Sequence, residues 1–237
     1  MAKMTPEQLV EQLRAAYGAE LRSVVLYGSA AAGEHIPKRS DYNILVVVDS
    51  LTLDRLSAAA AVARAWNEAG NPAPMTMTTR EWRSSADIFA MEYADVLERH
   101  KILYGESPLE GIRVDSHDLR LQLEHEAMGK LLKLRQGVLA SGGDPGRQLE
   151  LLEASLSTIM VIFRAVARLE GATPSKDNVA LSQMVAGYGN FDPAAFQRVV
   201  RHVRGEQKIA GNEVGGIVAG YLAGMEKLVE HLDRFGS

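Results

Sequence analysis

Apolar residues follow two different patterns along the chain. Up to about residue 108 they form short runs between turn residues, which predict strands at "SVVLYG", "DYNILVVVD" and "APMTMTT". From about residue 112 they recur every three or four positions, which predicts helices alone. We therefore predict an α+β protein: a mixed sheet with flanking helices over residues 1–108, then an all-α helical bundle over residues 112–237.

Capping residues indicate where helices begin. Thr5 precedes Pro6 and is followed by Gln8, the combination of a capping box with proline at the first helical position. Asp144-Pro145 and Asp192-Pro193 repeat the cap-then-proline arrangement in the second half. The first helix of the bundle carries an apolar stripe made of Leu121, Met128, Leu131, Leu132 and Leu139.

Composition and charge narrow the functional classes. The chain has no cysteine, which excludes disulfides and thiolate chemistry. No apolar run approaches the roughly 18 residues of a membrane span, and the start does not resemble a signal peptide, so we predict a cytoplasmic protein without membrane contact. The net charge of -4 gives no broad attraction to nucleic acid, which we do not expect as a partner.

Candidate chemistry lies between the first two predicted strands. Gly28 allows a tight turn close to a phosphate, and Ser29 can donate a hydrogen bond to it. Period-two geometry places Asp41 and Asn43 on one face of the second strand, where a carboxylate can hold a divalent cation. These residues predict a site for a metal-bound phosphate.

This pattern resembles a known signature. Gly28-Ser29 followed by Ser40-Asp41-x-Asn43 is similar to the motif of the DNA polymerase β-like nucleotidyltransferases, in which Gly-Ser precedes Asp-x-Asp or Asp-x-Glu on the next strand. The helical second half and the segment "FAMEYADVLERHKILYGE" resemble the kanamycin nucleotidyltransferase branch. The resemblance implies attack of a hydroxyl on the α-phosphate of a nucleoside triphosphate, release of pyrophosphate, and paired Mg²⁺ ions held by three carboxylates.

The chain departs from that family in its acids. Asn43 stands in place of the second carboxylate, and the strand "PMTMTT", where the third is expected near Thr76 or Met77, contains none. We therefore expect at most one Mg²⁺, bound with the nucleotide at Asp41 and weakly at Asn43, unless Glu34, His35, Asp87 or Glu92 compensates for the missing acids. The predicted site comprises Asp41 as the catalytic residue and, for nucleotide binding, Gly28, Ser29, Lys38, Arg39, Ser40 and Asn43.

Two functions remain open at this point. One is transfer of a nucleotidyl group from a nucleoside triphosphate to an unknown hydroxyl acceptor, through an impaired metal site. The other is a non-catalytic module on the same fold that senses a nucleotide or binds a protein. A toxin–antitoxin-like partner ranks below both.

Three glycines are spaced four residues apart in the last predicted helix, at Gly216, Gly220 and Gly224. Glycine costs about 1 kcal/mol of helix propensity relative to alanine, so close packing must compensate for it. That packing occurs either within the bundle or at a homodimer seam through this helix.

Overall fold

The computed structural model describes residues 4–28, 30, 31, 33 and 41–235. They form two compact units that divide after Asp115. The elements of the first unit are α1 (Pro6–Tyr17), a 3-10 turn (Gly18–Glu20), β1 (Leu21–Tyr27), β2 (Asn43–Val48), α2 (Leu53–Glu68), β3 (Met75–Thr78), α3 (Thr79–Ser84), α4 (Ala90–Glu98) and β4 (His100–Gly105). Those of the second are α5 (Ser116–Ser141), α6 (Pro145–Leu169), α7 (Asn178–Gly189), α8 (Ala194–Arg204) and α9 (Val214–Asp233).

The described strands form one mixed sheet in the order β3-β2-β1-β4. β1 runs antiparallel to both β2 and β4, whereas β2 and β3 are parallel. With the helical second unit, this sheet confirms the predicted α+β class. Among the helices that the structure describes, none is both long enough and apolar enough to cross a membrane.

Alternation along β2 gives each face of the sheet its own core. Ile44, Val46 and Val48 pack with apolar residues of α1 and α2. Leu45 and Val47 pack on the other face, with apolar residues of α3 and α4. Because successive side chains of a strand point to opposite faces, both faces of this apolar run are buried.

The predicted helix starts are confirmed where side-chain caps form. The backbone N–H of Gln8 donates to the Thr5 hydroxyl at 3.3 Å, and the N–H of Thr5 donates to the Gln8 side chain at 3.0 Å. Asp144 accepts from the backbone N–H of Arg147 at 2.8 Å and so caps α6. At α8 the predicted cap is wrong: Asp192 accepts from the N–H of Ala194 at 2.9 Å, but the N-cap is Pro193 and no side chain caps the helix.

Aromatic residues fill the core of the second unit. The Phe196 ring lies 5.0 Å from that of Phe163 and 4.3 Å from that of Tyr221, between ring centroids. Burial raises the pKa of Tyr221, whose hydroxyl lies 3.3 Å from that of Ser155. The apolar stripe of α5 lies largely outside this core, because Leu131 is buried whereas Leu121, Met128, Leu132 and Leu139 are exposed.

Two of the three glycines of α9 pack against α8. A β-carbon at Gly224 would overlap the Phe196 ring, and one at Gly220 would lie 3.0 Å from the Ala195 β-carbon. A β-carbon at Gly216 would meet no atom within 4 Å. Close packing within the second unit therefore accounts for Gly220 and Gly224.

Candidate functional site

The turn after β1 brings together residues from three elements. Gly28 has a φ of 76°, in the left-handed region that favours glycine, and its N–H donates to the Arg99 carbonyl at 3.0 Å. A β-carbon at this position would lie 3.3 Å from the Asn43 amide nitrogen and 3.4 Å from a carboxylate oxygen of Asp95. A side chain at position 28 would therefore crowd both polar groups.

The two predicted metal ligands of the second strand differ in environment. Asn43 is the first residue of β2, is half-buried, and pairs with Tyr27 across the sheet. Asp41 precedes the strand and is exposed. The Tyr42 N–H donates to the Asn71 side chain at 3.1 Å, which holds the entry to β2.

The structure therefore brings Gly28 and Asn43 together and places Asp41 just before β2. The other predicted site residues lie outside the described residues: Ser29, Glu34, His35, Lys38, Arg39 and Ser40.

Aromatic contacts hold α4 beside this turn. The rings of Trp82 and Tyr93 are stacked with centroids 4.0 Å apart, and the Tyr93 hydroxyl donates to the Trp82 carbonyl at 2.6 Å. The Trp82 indole N–H donates to the Pro108 carbonyl at 2.8 Å. Burial raises the pKa of Tyr93, so this hydroxyl remains a proton donor. These contacts fix the helix that carries Glu92 and Asp95.

Negative charge gathers near the end of β1. Burial, together with the nearby charges of Glu92 and Asp95, raises the pKa of Tyr27 to about 12. Asp95 also forms an ion pair with Arg99 at 2.5 Å, in which the two side chains are only 13% and 9% exposed. The site thus contains two helix-borne carboxylates, one of them bound to a nearly buried guanidinium.

Sequence reasoning missed Asp95. The third metal-binding acid was expected on β3. On that strand, Met75 and Met77 occupy the sheet face that also carries Leu45 and Val47 of β2. Thr76 lies on the other face, beside Tyr17 of α1. The sequence did contain a signal that could have indicated Asp95. Glu92, Asp95 and Arg99 are spaced three and four residues apart, and residues at that spacing share a helix face.

The described residues do not form a metal centre by themselves. Within these ranges no group of three or more histidines or carboxylates is arranged to hold an ion. Asp41 is exposed and the carboxylate beside Gly28 already binds Arg99.

The chain forms a small mixed sheet with a glycine turn after its first strand, and a helical unit follows. This arrangement is the nucleotidyltransferase fold. The structure is similar to that of spectinomycin adenyltransferase AAD(9) from Enterococcus faecialis, solved with ATP and spectinomycin. The two share 13% identity at a TM-score of 0.62, over 97% of this chain and all of that one. This likeness confirms the predicted fold.

Other comparisons add little. A solved toxin–antitoxin with AMP-PNP matches 44% of this chain and 76% of its own, at 21% identity and a TM-score of 0.31, which is too low to support an argument. No protein-family model and no curated protein sequence match the chain.

Proposed function

We propose that this protein binds a nucleoside triphosphate at the Gly28 turn and transfers its nucleotidyl group to a hydroxyl acceptor. The observation that carries the proposal is the meeting of Gly28, Asn43 and Asp95 within a few ångströms. A glycine turn lets the backbone approach a phosphate, while the neighbouring amide and carboxylate supply polar groups for the metal-bound nucleotide and the acceptor. Ser29, Ser40, Lys38 and Arg39 are proposed to contact the phosphates.

The proposed reaction needs a group that accepts a proton. The acceptor hydroxyl oxygen forms a bond to the α-phosphorus, the bond from that phosphorus to the bridging oxygen breaks, and pyrophosphate leaves. The hydroxyl proton passes to a carboxylate. We assign this role to Glu92, which lies one turn before Asp95 on the same helix and whose charge acts on Tyr27 at the end of β1.

We propose that any metal arrives with the nucleotide. A single Mg²⁺ would take Asp41 as its protein carboxylate and Asn43 as a weak neutral ligand, and would neutralise phosphate charge. The described residues offer too few acids at one place for more, so we assign no step to it.

A second function is favoured by one observation. On the sheet face of the predicted metal ligands, β3 carries Met75 and Met77. A methionine side chain cannot ligate Mg²⁺ as a carboxylate does. A protein that binds a nucleotide without turning it over, and reports its presence to a partner, fits this replacement. Such a sensing module would keep the binding step and lose the chemical one.

Calorimetry and pyrophosphate release distinguish the two functions. Titration with ATP, GTP, CTP and UTP, each with and without Mg²⁺, is expected to show saturable binding of at least one nucleotide, strengthened by the ion. Pyrophosphate release in the presence of hydroxyl-bearing acceptors then indicates transfer, and binding without release indicates the sensor. Absence of binding by all four nucleotides would contradict both.

Gly28→Ala is expected to weaken nucleotide binding at least about tenfold, equivalent to about 1.4 kcal/mol. The new methyl group would press on the Asn43 amide and the Asp95 carboxylate and would move the backbone away from the phosphates. Gly18→Ala is the matched control, because Gly18 also has a positive φ of 57° but has no atom within 4 Å of an added β-carbon. If the two variants bound the nucleotide with equal affinity, the assignment of nucleotide binding to the Gly28 turn would be refuted.

Asn43→Asp is expected to change the rate of pyrophosphate release by less than about tenfold, well under the several decades that an intact catalytic group supplies. The face of β3 beside this strand still lacks an acid, and the new carboxylate would lie near that of Asp95. Single-turnover measurements on Asn43→Asp and Asn43→Ala test this expectation. Brisk turnover in the aspartate variant alone would show that one acid was all that was missing.

A homodimer through α9 stays a prediction. Of the three glycines that suggested it, only Gly216 lacks a packing neighbour in its own unit. A cytoplasmic location is likewise part of the proposal.

A further inference from the structure

One face of α5 carries a row of exposed apolar side chains that no other helix of its own unit covers. The exposed fractions are 47% for Leu121, 41% for Met128, 47% for Leu132 and 81% for Leu139. At 100° per residue these four positions lie within about 40° of one another on the helix surface. The buried residues of the same helix, Leu119, Leu123, Ala127, Leu131 and Leu134, lie on its other side.

The spacing within this row is symmetric. Leu121 and Met128 are seven positions apart, Met128 and Leu132 four, and Leu132 and Leu139 seven. The row therefore reads the same in both directions about Lys130. A second α5 laid antiparallel across a two-fold axis at that point would place Leu121 opposite Leu139, and Met128 opposite Leu132, which is the self-complementarity of an isologous interface.

The charges beside the row have the same symmetry. Glu124 and Arg135 lie on one flank of the row, at nearly equal distances before and after Lys130. Antiparallel pairing about this centre would place Glu124 of each copy beside Arg135 of the other, so two opposite-charge pairs would form. Within one chain, Glu124 binds Arg120 and Arg135 binds Glu226, each at 2.8 Å. Both pairs are partly exposed, so they can be shared with a second copy at little cost.

A glycine near the centre has no explanation within its own unit. A β-carbon at Gly137 would meet the Leu151 side chain at 2.6 Å, which accounts for that glycine. A β-carbon at Gly129 would meet no atom within 4 Å, although glycine disfavours a helix interior. Gly129 and Met128 line a groove of about 740 Å³ beside Val229 of α9. The absence of a side chain at this position leaves room for another helix to approach closely.

We propose that two copies of this chain associate through antiparallel pairing of their α5 helices, with the two-fold axis near Lys130. The occupant of the groove and of the apolar row is thus a second copy, seated by four apolar contacts per helix and two ion pairs. The row spans about 27 Å along the helix, so the interface is small and we expect association in the micromolar range. The proposal does not depend on nucleotide transfer.

Sedimentation equilibrium over micromolar concentrations tests this pairing. The parent chain is expected to show a concentration-dependent increase in mass toward a dimer. Leu139→Glu, which changes an exposed side chain, is expected to keep the helical circular dichroism and melting of the parent and to remain monomeric. Val161→Glu, at an exposed apolar position of α6, is the matched control and is expected to dimerise like the parent. A monomeric parent, or a dimer that tolerates Leu139→Glu, would overturn the proposal.

A charge exchange tests the antiparallel direction. Glu124→Arg alone and Arg135→Glu alone each place like charges opposite one another twice, and each is expected to weaken dimerisation at least about tenfold. An equimolar mixture of the two variants restores both opposite-charge pairs in a heterodimer, so its mass is expected to rise again toward that of the parent dimer. A mixture no heavier than its separate components would rule out this register.

Discussion

We expect Gly105→Ala to destabilise the first unit by more than about 3 kcal/mol, the range of severe backbone and packing defects. Gly105 ends β4 opposite Ser23 of β1 and has a φ of 76°. A β-carbon there would overlap the backbone carbonyl of Arg22. Arg22 itself lies in the register shift of β1, but its neighbours Leu21 and Ser23 are both paired with β2, which leaves its carbonyl little room to move.

Urea unfolding followed by tryptophan fluorescence measures this effect in the correct unit. Both tryptophans, Trp66 and Trp82, are buried in the first unit. Gly111→Ala serves as the control, because Gly111 has a φ of 77° but no atom within 4 Å of an added β-carbon. It isolates the cost of a left-handed alanine, about 1–2 kcal/mol. Equal losses in the two variants would show that the β1–β4 contact is not rigid.

We expect Asp95→Ala to destabilise the same unit by about 3–5 kcal/mol, the cost of removing one partner from a buried ion pair. Arg99 is only 9% exposed and Asp95 is its partner at 2.5 Å. Without that carboxylate, a charge remains in a place that water reaches poorly. The Arg99 backbone also accepts the hydrogen bond from Gly28, so a shift of Arg99 would disturb the candidate nucleotide turn.

Two further variants separate the effect of burial on the free energy of unfolding from the effect of the charge itself. Asp95→Ala with Arg99→Leu removes both charges and is expected to recover more than half of the lost stability, because the nearly buried Arg99 charge is then removed as well. Asp49→Ala breaks the Arg22 pair, whose side chains are 58% and 38% exposed, and is expected to change unfolding far less. A loss at Asp95 as small as that at Asp49 would mean that solvent reaches the Arg99 guanidinium.

Gly105→Ala and Asp95→Ala also test the proposed function. Both Gly105→Ala and Asp95→Ala act on the sheet and helix that position Gly28, but only the second removes a group beside it. If nucleotide binding is measured where each variant is still folded, Asp95→Ala is expected to change the affinity for the nucleotide, because the carboxylate beside Gly28 is gone. Gly105→Ala is expected to change only the folded fraction.

The sequence by itself determined the elements whose causes are local. The capping box at Thr5 and Gln8, and the cap at Asp144, involve residues a few positions apart, so their hydrogen bonds follow from sequence alone. The apolar run of β2 and the helical periodicity after Asp115 likewise depend on neighbours along the chain. With the resemblance of the glycine and acid motifs, these patterns were sufficient to predict the nucleotidyltransferase fold.

Tertiary structure alone decided which acids lie near the turn. Position along β3 suggested that the third acid would lie near Thr76 or Met77. Because side chains alternate between the two faces of a strand, Thr76 lies on the side of α1 and methionines lie on the other face. Asp95 reaches Gly28 only because Trp82 and Tyr93 anchor α4 beside β1. Likewise, the apolar stripe of α5 divides between core and surface according to where α6 and α9 pack. Contacts between residues distant in sequence depend on how whole elements pack, and no local pattern specifies that packing.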